Sequence, residues 1–166
     1  MKTLWSAVLV LAGLATPSVR AQWPSVLPMS PSSGSGTSQT FQFAYSDPQG
    51  YADIRYVEML INTSLQAAQG CYMYYDRASN VIYLSADSGS GWVGSASLGS
   101  AGTLQNSQCI INLPTSSRTG SGNTLTVYLA MTFQPAFAGT KNLFLYVSDR
   151  GDLASGWQML GSWTIP

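Results

Sequence analysis

The fold class of this chain is decided by one stretch, TLTVYLAMTF at residues 124–133. Apolar side chains alternate there with Thr, Tyr and Ala. Because successive side chains of a β-strand point to opposite faces of its sheet, this period of two predicts a strand with one buried face. The residues expected inside are Leu125, Val127, Leu129, Met131 and Phe133. The residues expected on the other face, toward solvent, are Thr124, Thr126 and Thr132.

Similar strand patterns lie on both sides of this stretch. They predict strands at residues 40–45, 54–61, 71–75, 81–85, 109–113, 143–147 and 157–165. Turn residues separate them, as in DPQG at residues 47–50, where Pro fixes φ and Gly accepts a positive φ. Residues 86–107 are dominated by Gly, Ser and Ala and predict a mostly irregular crossing segment, and residues 115–123 predict a cluster of turns. Eight or nine short strands without interleaved helices predict an all-β fold, a two-sheet antiparallel sandwich.

The amino-terminal residues predict the compartment. A positive start at Met1 and Lys2 precedes the uncharged run LWSAVLVLAGL, and small residues stand at positions 19 and 21. This is the order of a secretory signal, and the run is shorter than the roughly 20 residues that cross a bilayer. We therefore expect a signal peptide at residues 1–21, cleaved after Ala21, rather than an uncleaved anchor. The mature protein is expected to be secreted, extracellular or on the cell surface, with the periplasm as an alternative.

The mature chain would hold about 145 residues, which corresponds to one domain. Residues 22–37, rich in Pro, Ser and Gly, predict a lead-in with a short first strand near residues 25–29, and residues 38–166 predict the sandwich domain. Charged residues make up only 8% of the sequence, and the mature net charge would be about −2. A basic footprint for phosphates is missing, so we expect no nucleic-acid partner. No further apolar stretch has membrane-spanning length, so we expect the mature domain not to be membrane-embedded.

The two cysteines, Cys71 and Cys109, allow only one intramolecular pairing. In an oxidising compartment we expect them to form a disulfide, the alternatives being free buried thiols or intermolecular bridges. The sequence contains no histidine. This speaks against a zinc site and excludes Ser-His-Asp and Cys-His catalysis. We therefore predict a protein that is not an enzyme and uses no cofactor.

Several turns carry a resemblance to a known family. The stretch YSDPQGYADI at residues 45–54 resembles the strand–turn–strand step of secreted bacterial immunoglobulin-like and fibronectin-type-III-like modules. AGTKNL at residues 138–143 is similar to the corner before their sixth strand, and YVSD at 146–149 with SGW at 155–157 and GSWT at 161–164 resembles their final hairpin. AGTLQNSQC at residues 101–109 looks like a repeat of uncharacterised function in large exported proteins of soil bacteria. The resemblance implies an immunoglobulin-like sandwich that serves as a non-catalytic structural or interaction module.

Aromatic residues are the first candidate binding feature. Tyr72, Tyr74, Tyr83 and Trp92 lie close together in the sequence, and a period of two puts Tyr72 and Tyr74 on one face. An exposed row of rings can stack on sugar faces or anchor a partner protein. The alternative is that one face packs in the core and the other covers a weakly charged surface. We therefore expect an unknown protein or glycan partner, with a carbohydrate-binding module using the tyrosines of residues 71–92 as the alternative function.

Four acidic residues are the second candidate feature. Asp47, Asp53, Asp149 and Asp152 fall in two inter-strand regions, and carboxylate oxygens are ligands that Ca²⁺ prefers. The dense spacing of a dedicated calcium loop is missing, so aspartates that bond their own turns are the alternative.

Overall fold

The computed structural model describes residues 23–166, so the expected signal peptide at residues 1–21 lies outside the described residues. The regular structure of the described part consists of β-strands and one short 3₁₀ helix at Pro135–Phe137. The strands are β1 (Ser25–Val26), β2 (Ser33–Ser35), β3 (Ser38–Ser46), β4 (Ile54–Asn62), β5 (Cys71–Asp76), β6 (Val81–Ser85), β7 (Trp92–Ser97), β8 (Thr103–Gln105), β9 (Cys109–Ser121), β10 (Thr124–Phe133), β11 (Gly139–Asp149) and β12 (Gln158–Ile165). Within this part of the chain no helix has the length and apolar character that a membrane span requires.

The strands form two sheets that pack into a sandwich. The five-stranded sheet has the order β1-β3-β10-β9-β8, and the seven-stranded sheet has the order β2-β12-β11-β4-β5-β6-β7. Neighbouring strands are antiparallel except β2 and β12, which are parallel. The lead-in contributes to both sheets, because β1 pairs with β3 and β2 pairs with β12. The all-β, two-sheet sandwich that the sequence predicts is confirmed.

Strand β10 is the centre of the five-stranded sheet, between β3 and β9. Its five alternating apolar side chains are all buried, as predicted. Thr132 is exposed and Thr124 is half-buried, but the expectation that Thr126 faces solvent is wrong, since only 8% of it is exposed. Thr126 lies on the outer face between Ala44 and Thr119 on the neighbouring strands, and its central position leaves it little contact with water.

Two segments are more regular than the sequence predicts. Residues 86–107 contain β7 and β8, and residues 115–121 continue β9 past Pro114. Between Tyr128 and Ala130 of β10 the pairing with β9 shifts, so that β9 bulges there. Pro114 lies in this bulge, where no ladder hydrogen bond is required of it. The Ser116 hydroxyl accepts a hydrogen bond from the Ala130 N–H and donates one to the Asn112 carbonyl, which replaces part of the ladder.

The predicted disulfide between Cys71 and Cys109 is present, with the two Cα atoms 5.9 Å apart. Cys71 begins β5 in the seven-stranded sheet and Cys109 begins β9 in the five-stranded sheet, so the bond joins the two sheets. The buried Asn106 side chain braces the same region. It donates to the Gly70 and Ser85 carbonyls and accepts from the Cys109 N–H.

Removing the disulfide should destabilise the domain. Replacing both Cys71 and Cys109 by Ser opens a loop that spans 38 positions, and should lower the free energy of unfolding by about 2 to 4 kcal/mol. Urea melts of the oxidised protein and of the double variant measure this difference. Equal unfolding midpoints would contradict the expectation.

The buried face of β10 should contribute far more stability than its outer face. Leu129→Ala truncates a side chain with no exposed surface and should lower the free energy of unfolding by about 2 to 5 kcal/mol. Thr132→Ala, on the same strand, removes one exposed hydroxyl that bonds Ser38 and should cost less than about 1 kcal/mol. If urea melts gave the two variants the same stability, β10 would not be the core strand.

Candidate functional site

The outer face of the seven-stranded sheet carries seven aromatic side chains in one unbroken cluster, which we call the aromatic face. Each ring lies within 6.2 Å, centroid to centroid, of at least one other ring of the cluster. The members are Trp92 on β7, Tyr83 on β6, Tyr72 and Tyr74 on β5, Tyr56 on β4, Tyr146 on β11 and Trp157 just before β12. The strands alternate, so residues such as Met73 and Tyr75 point the other way and are fully buried in the core.

The four aromatic residues that the sequence singles out are brought together at one side of this face. The Trp92 ring lies 5.7 Å from Tyr72, 6.0 Å from Tyr74 and 5.6 Å from Tyr83. Trp92 is 44% exposed, whereas the three tyrosines are half-buried. Tyr74, Tyr83 and Trp92 line a shallow depression of about 150 Å³. An apolar group of modest size fits such a depression.

Sequence reasoning missed the other side of the face. Tyr56 stacks on Tyr74 at 4.9 Å, Tyr146 lies 6.1 Å from Tyr56, and Trp157 lies 5.5 Å from Tyr146. Tyr56 occupies an alternate position of a predicted strand, which is a signal for one face. The pairing of β4 with both β5 and β11 completes the cluster, and local sequence does not encode that long-range pairing.

The rings do not form a flat platform. Tyr56 is inclined by 29° to Tyr74 and by 20° to Tyr146, so these neighbouring rings cover one another's faces. Around Trp92 the angles to Tyr72 and Tyr83 are 35° and 55°. The surface therefore does not present three coplanar rings.

Glu58 is the acidic group within the aromatic face. It lies on β4 between Tyr74 of β5 and Tyr146 of β11 and is half-buried. Burial raises the pKa of its carboxyl group, and a hydrogen bond with Tyr72 partly offsets that rise. Burial and the Glu58 charge in turn raise the pKa of the Tyr72 hydroxyl. Glu58 is thus a poorly solvated carboxylate that gains from a hydrogen-bond donor brought by a ligand.

A second depression adjoins Glu58. Its volume is about 230 Å³, and its lining includes Glu58, Tyr72 and Trp157 together with Leu65 and Gln66 of the β4–β5 loop. It therefore combines aromatic surface with a carboxylate and an amide, while the depression beside Trp92 is lined by rings.

Three of the four acidic residues named from the sequence also come together, at one end of the sandwich. Asp47 follows β3, Asp53 precedes β4 and Asp149 ends β11. One carboxylate oxygen of each lies within 4.8 Å of the other two. Asp152 lies apart from this group: its side chain is 80% exposed and pairs with Arg55 at 2.9 Å.

The Asp47 carboxylate is unusual because it is fully buried. Its Oδ1 accepts a hydrogen bond from the Gln49 N–H at 2.8 Å, and its Oδ2 has no hydrogen-bond partner. Burial raises the pKa of Asp47, and the charges of Asp53 and Asp149 raise it further, against the lowering effect of the Gln49 hydrogen bond.

Comparisons with protein-family models, with curated proteins and with solved structures give no match for this chain. The resemblance to immunoglobulin-like modules therefore stays a prediction, and the two clusters described above are the features from which a function can be inferred.

The raised pKa of Glu58 gives a pH-dependent prediction. A carboxyl whose pKa is higher in the folded state contributes stability at low pH, and that contribution is lost as the pH rises through the folded pKa. Glu58→Gln should therefore raise the melting temperature at pH 7, by about 1 to 3 °C, and this advantage should shrink toward pH 4. Thermal melts between pH 4 and 8 check it. An advantage that is independent of pH would contradict the expectation.

Proposed function

We propose that this chain is an exported, non-catalytic interaction module that binds a partner protein through its aromatic face. The observation that carries the proposal is the unbroken cluster of seven rings on the outer face of the seven-stranded sheet. Tyrosine and tryptophan are enriched in protein interfaces because they offer a large apolar area with a polar tip. A sheet face with no binding role would be served by Thr and Ser, which are abundant elsewhere in this chain.

The residues around the rings favour a partner that has both apolar and polar groups. Leu65 and Met159 are exposed on elements that border the face. Glu58 supplies one poorly solvated carboxylate. The complementary partner presents an apolar side chain to the depression beside Trp92 and a hydrogen-bond donor, best a basic one, to Glu58.

The non-catalytic and exported parts of the proposal have separate support. The sequence has no histidine, and Asp47 and Asp149 of the acidic cluster are buried. The disulfide fits an oxidising compartment, in agreement with the predicted signal peptide. An immunoglobulin-like module of a bacterial cell-surface or secreted protein remains the setting that the sequence favours.

Carbohydrate binding is the second candidate. The depression of about 150 Å³ lined by Tyr74, Tyr83 and Trp92 can take the apolar face of a sugar ring. Glu58 and Gln66, which line the second depression, can accept hydrogen bonds from hydroxyl groups, and Gln66 can also donate them. The tilt between the rings favours a single sugar unit in the depression over a chain lying flat across the face.

One experiment separates the two candidates. The mature domain is screened against a displayed library of random peptides and against a glycan array, and the binders are titrated with Trp92→Ala and Trp23→Ala. Trp23 is a matched control because it is an equally large, exposed ring, and it belongs to none of the ring contacts of the aromatic face. Circular dichroism verifies that both variants are folded.

We expect to find peptides that bind the native domain. The affinity for these peptides should fall about 30-fold or more in Trp92→Ala and change less than about 3-fold in Trp23→Ala. Glycans that show this pattern in place of peptides would support the second candidate. Binding that is unaffected by Trp92→Ala, or no binding in either screen, would overturn the proposal.

A further inference from the structure

The acidic cluster is built into rigid backbone. The loop at residues 47–53 carries the chain from the five-stranded sheet to the seven-stranded sheet and holds two of the three carboxylates. The Gly50 N–H bonds the Asp47 carbonyl, and the Arg150 N–H bonds the Asp53 carbonyl at 2.9 Å. The Asp149 Oδ1 accepts from the Leu153 N–H. One of the three carboxylates is therefore at the end of a strand and the other two are in a short loop that backbone hydrogen bonds hold in place.

Negative charge in this cluster is not balanced by a salt bridge. Among residues 23–166 the only ion pair is Arg55 with Asp152, and Asp152 lies outside the cluster. Arg150 follows Asp149 in the chain, but it lines a separate depression together with Arg55 and Arg77. The cluster thus concentrates three carboxylates in a largely buried place without a paired cation.

Hydrogen bonds within a turn or between two loops account for other aspartates of this chain, but they do not satisfy both oxygens of Asp47. Asp76 accepts hydrogen bonds from the N–H and hydroxyl groups of Ser79, and Asp87 accepts from the N–H and hydroxyl groups of Ser107. Asp47 makes one such turn bond through Oδ1, yet its Oδ2 is buried without a partner. A buried carboxylate oxygen without a partner is costly, and a bound water or a cation is the usual group that satisfies it.

We propose that Asp47, Asp53 and Asp149 form a Ca²⁺ site. Oxygen ligands bind Ca²⁺ at about 2.3–2.6 Å, so two ligands on opposite sides of the ion are separated by about 4.6 to 5.2 Å. The 4.8 Å within which the three carboxylate oxygens lie fits that span. Mg²⁺ binds at about 2.0–2.1 Å in a strict octahedron and loses its water ligands reluctantly, so a site built from several protein oxygens suits Ca²⁺ better. Backbone oxygens and water would complete the coordination.

The site fits the setting of the chain and does not depend on the proposed function. Extracellular modules bind Ca²⁺ with dissociation constants of about 10⁻⁴–10⁻³ M, which matches calcium levels outside cells. The ion would neutralise the carboxylate that burial destabilises, and it would tie the ends of β3, β4 and β11 together. Its effect is therefore expected on stability, whether or not the aromatic face has a partner.

Calorimetric titration of the EGTA-treated mature domain with CaCl₂ tests the site directly. We expect one bound ion per chain and weaker binding in a parallel titration with MgCl₂. At a Ca²⁺ concentration about 100 times the dissociation constant, the melting temperature should rise by about 5 to 10 °C over the value in EGTA. Absence of binding at about 10 mM Ca²⁺, which is 10-fold above the weakest dissociation constant expected, would overturn the proposal.

Two matched variants locate the ion. Asp53→Asn removes one charge at a half-buried position and should weaken Ca²⁺ binding at least about 10-fold. Asp152→Asn is the control, because Asn also tolerates the left-handed backbone at that residue (φ 60°), and it should leave affinity within about 2-fold. Binding by Asp53→Asn as tight as in the native protein, or equal losses in both variants, would assign the ion elsewhere and overturn the site.

Discussion

Burial of one face of every central strand between the two sheets is the constraint on which the other features depend. On β4 and β5 the core takes Val57, Met59, Met73 and Tyr75, all without exposed surface. Because side chains alternate, the residues between them are forced onto the outer face. That outer face could be filled with small polar residues, as on much of this weakly charged chain. It is filled instead with tyrosine, so the aromatic face is an addition to the fold and not a consequence of it.

Features that depend on neighbouring residues in the sequence could be predicted from the sequence. The alternation at residues 124–133 predicts the core strand, and the presence of only two cysteines predicts the Cys71–Cys109 disulfide, although not that it joins the two sheets. The same reasoning failed for residues 86–107, where Gly, Ser and Ala carry little strand signal although β7 and β8 form there. These strands form because β7 pairs with β6 and β8 pairs with β9. The composition of the segment itself does not indicate that pairing. Pro114 predicted the end of the strand that begins at Cys109, but the strand continues because a bulge accommodates the proline.

The candidate sites also contain some residues that are close together in the sequence and others that only long-range strand pairing brings together. Tyr72, Tyr74, Tyr83 and Trp92 are near one another in sequence, and their cluster was predictable. Tyr146 and Trp157 join it only because β11 pairs with β4, across more than 80 positions of the chain. The acidic cluster is an intermediate case: residue type and loop position suggested four carboxylates, and the structure brings three of them together. Asp152 is directed to Arg55 instead, by a backbone turn that side-chain chemistry alone does not specify.

The two sites share strands, which links them physically. β4 begins directly after Asp53 and carries Tyr56 and Glu58, and β11 carries Tyr146 and ends at Asp149. An ion that holds Asp53 and Asp149 together would fix the ends of the two strands whose middles form the centre of the aromatic face. Tyr56 and Tyr146 are diagonal neighbours across this strand pair, so the spacing of their rings depends on the pairing that the ion would secure. The proposed calcium site and the proposed partner surface would thus meet in the β4–β11 ladder, and a stiffer ladder would reduce the entropic cost of binding a partner.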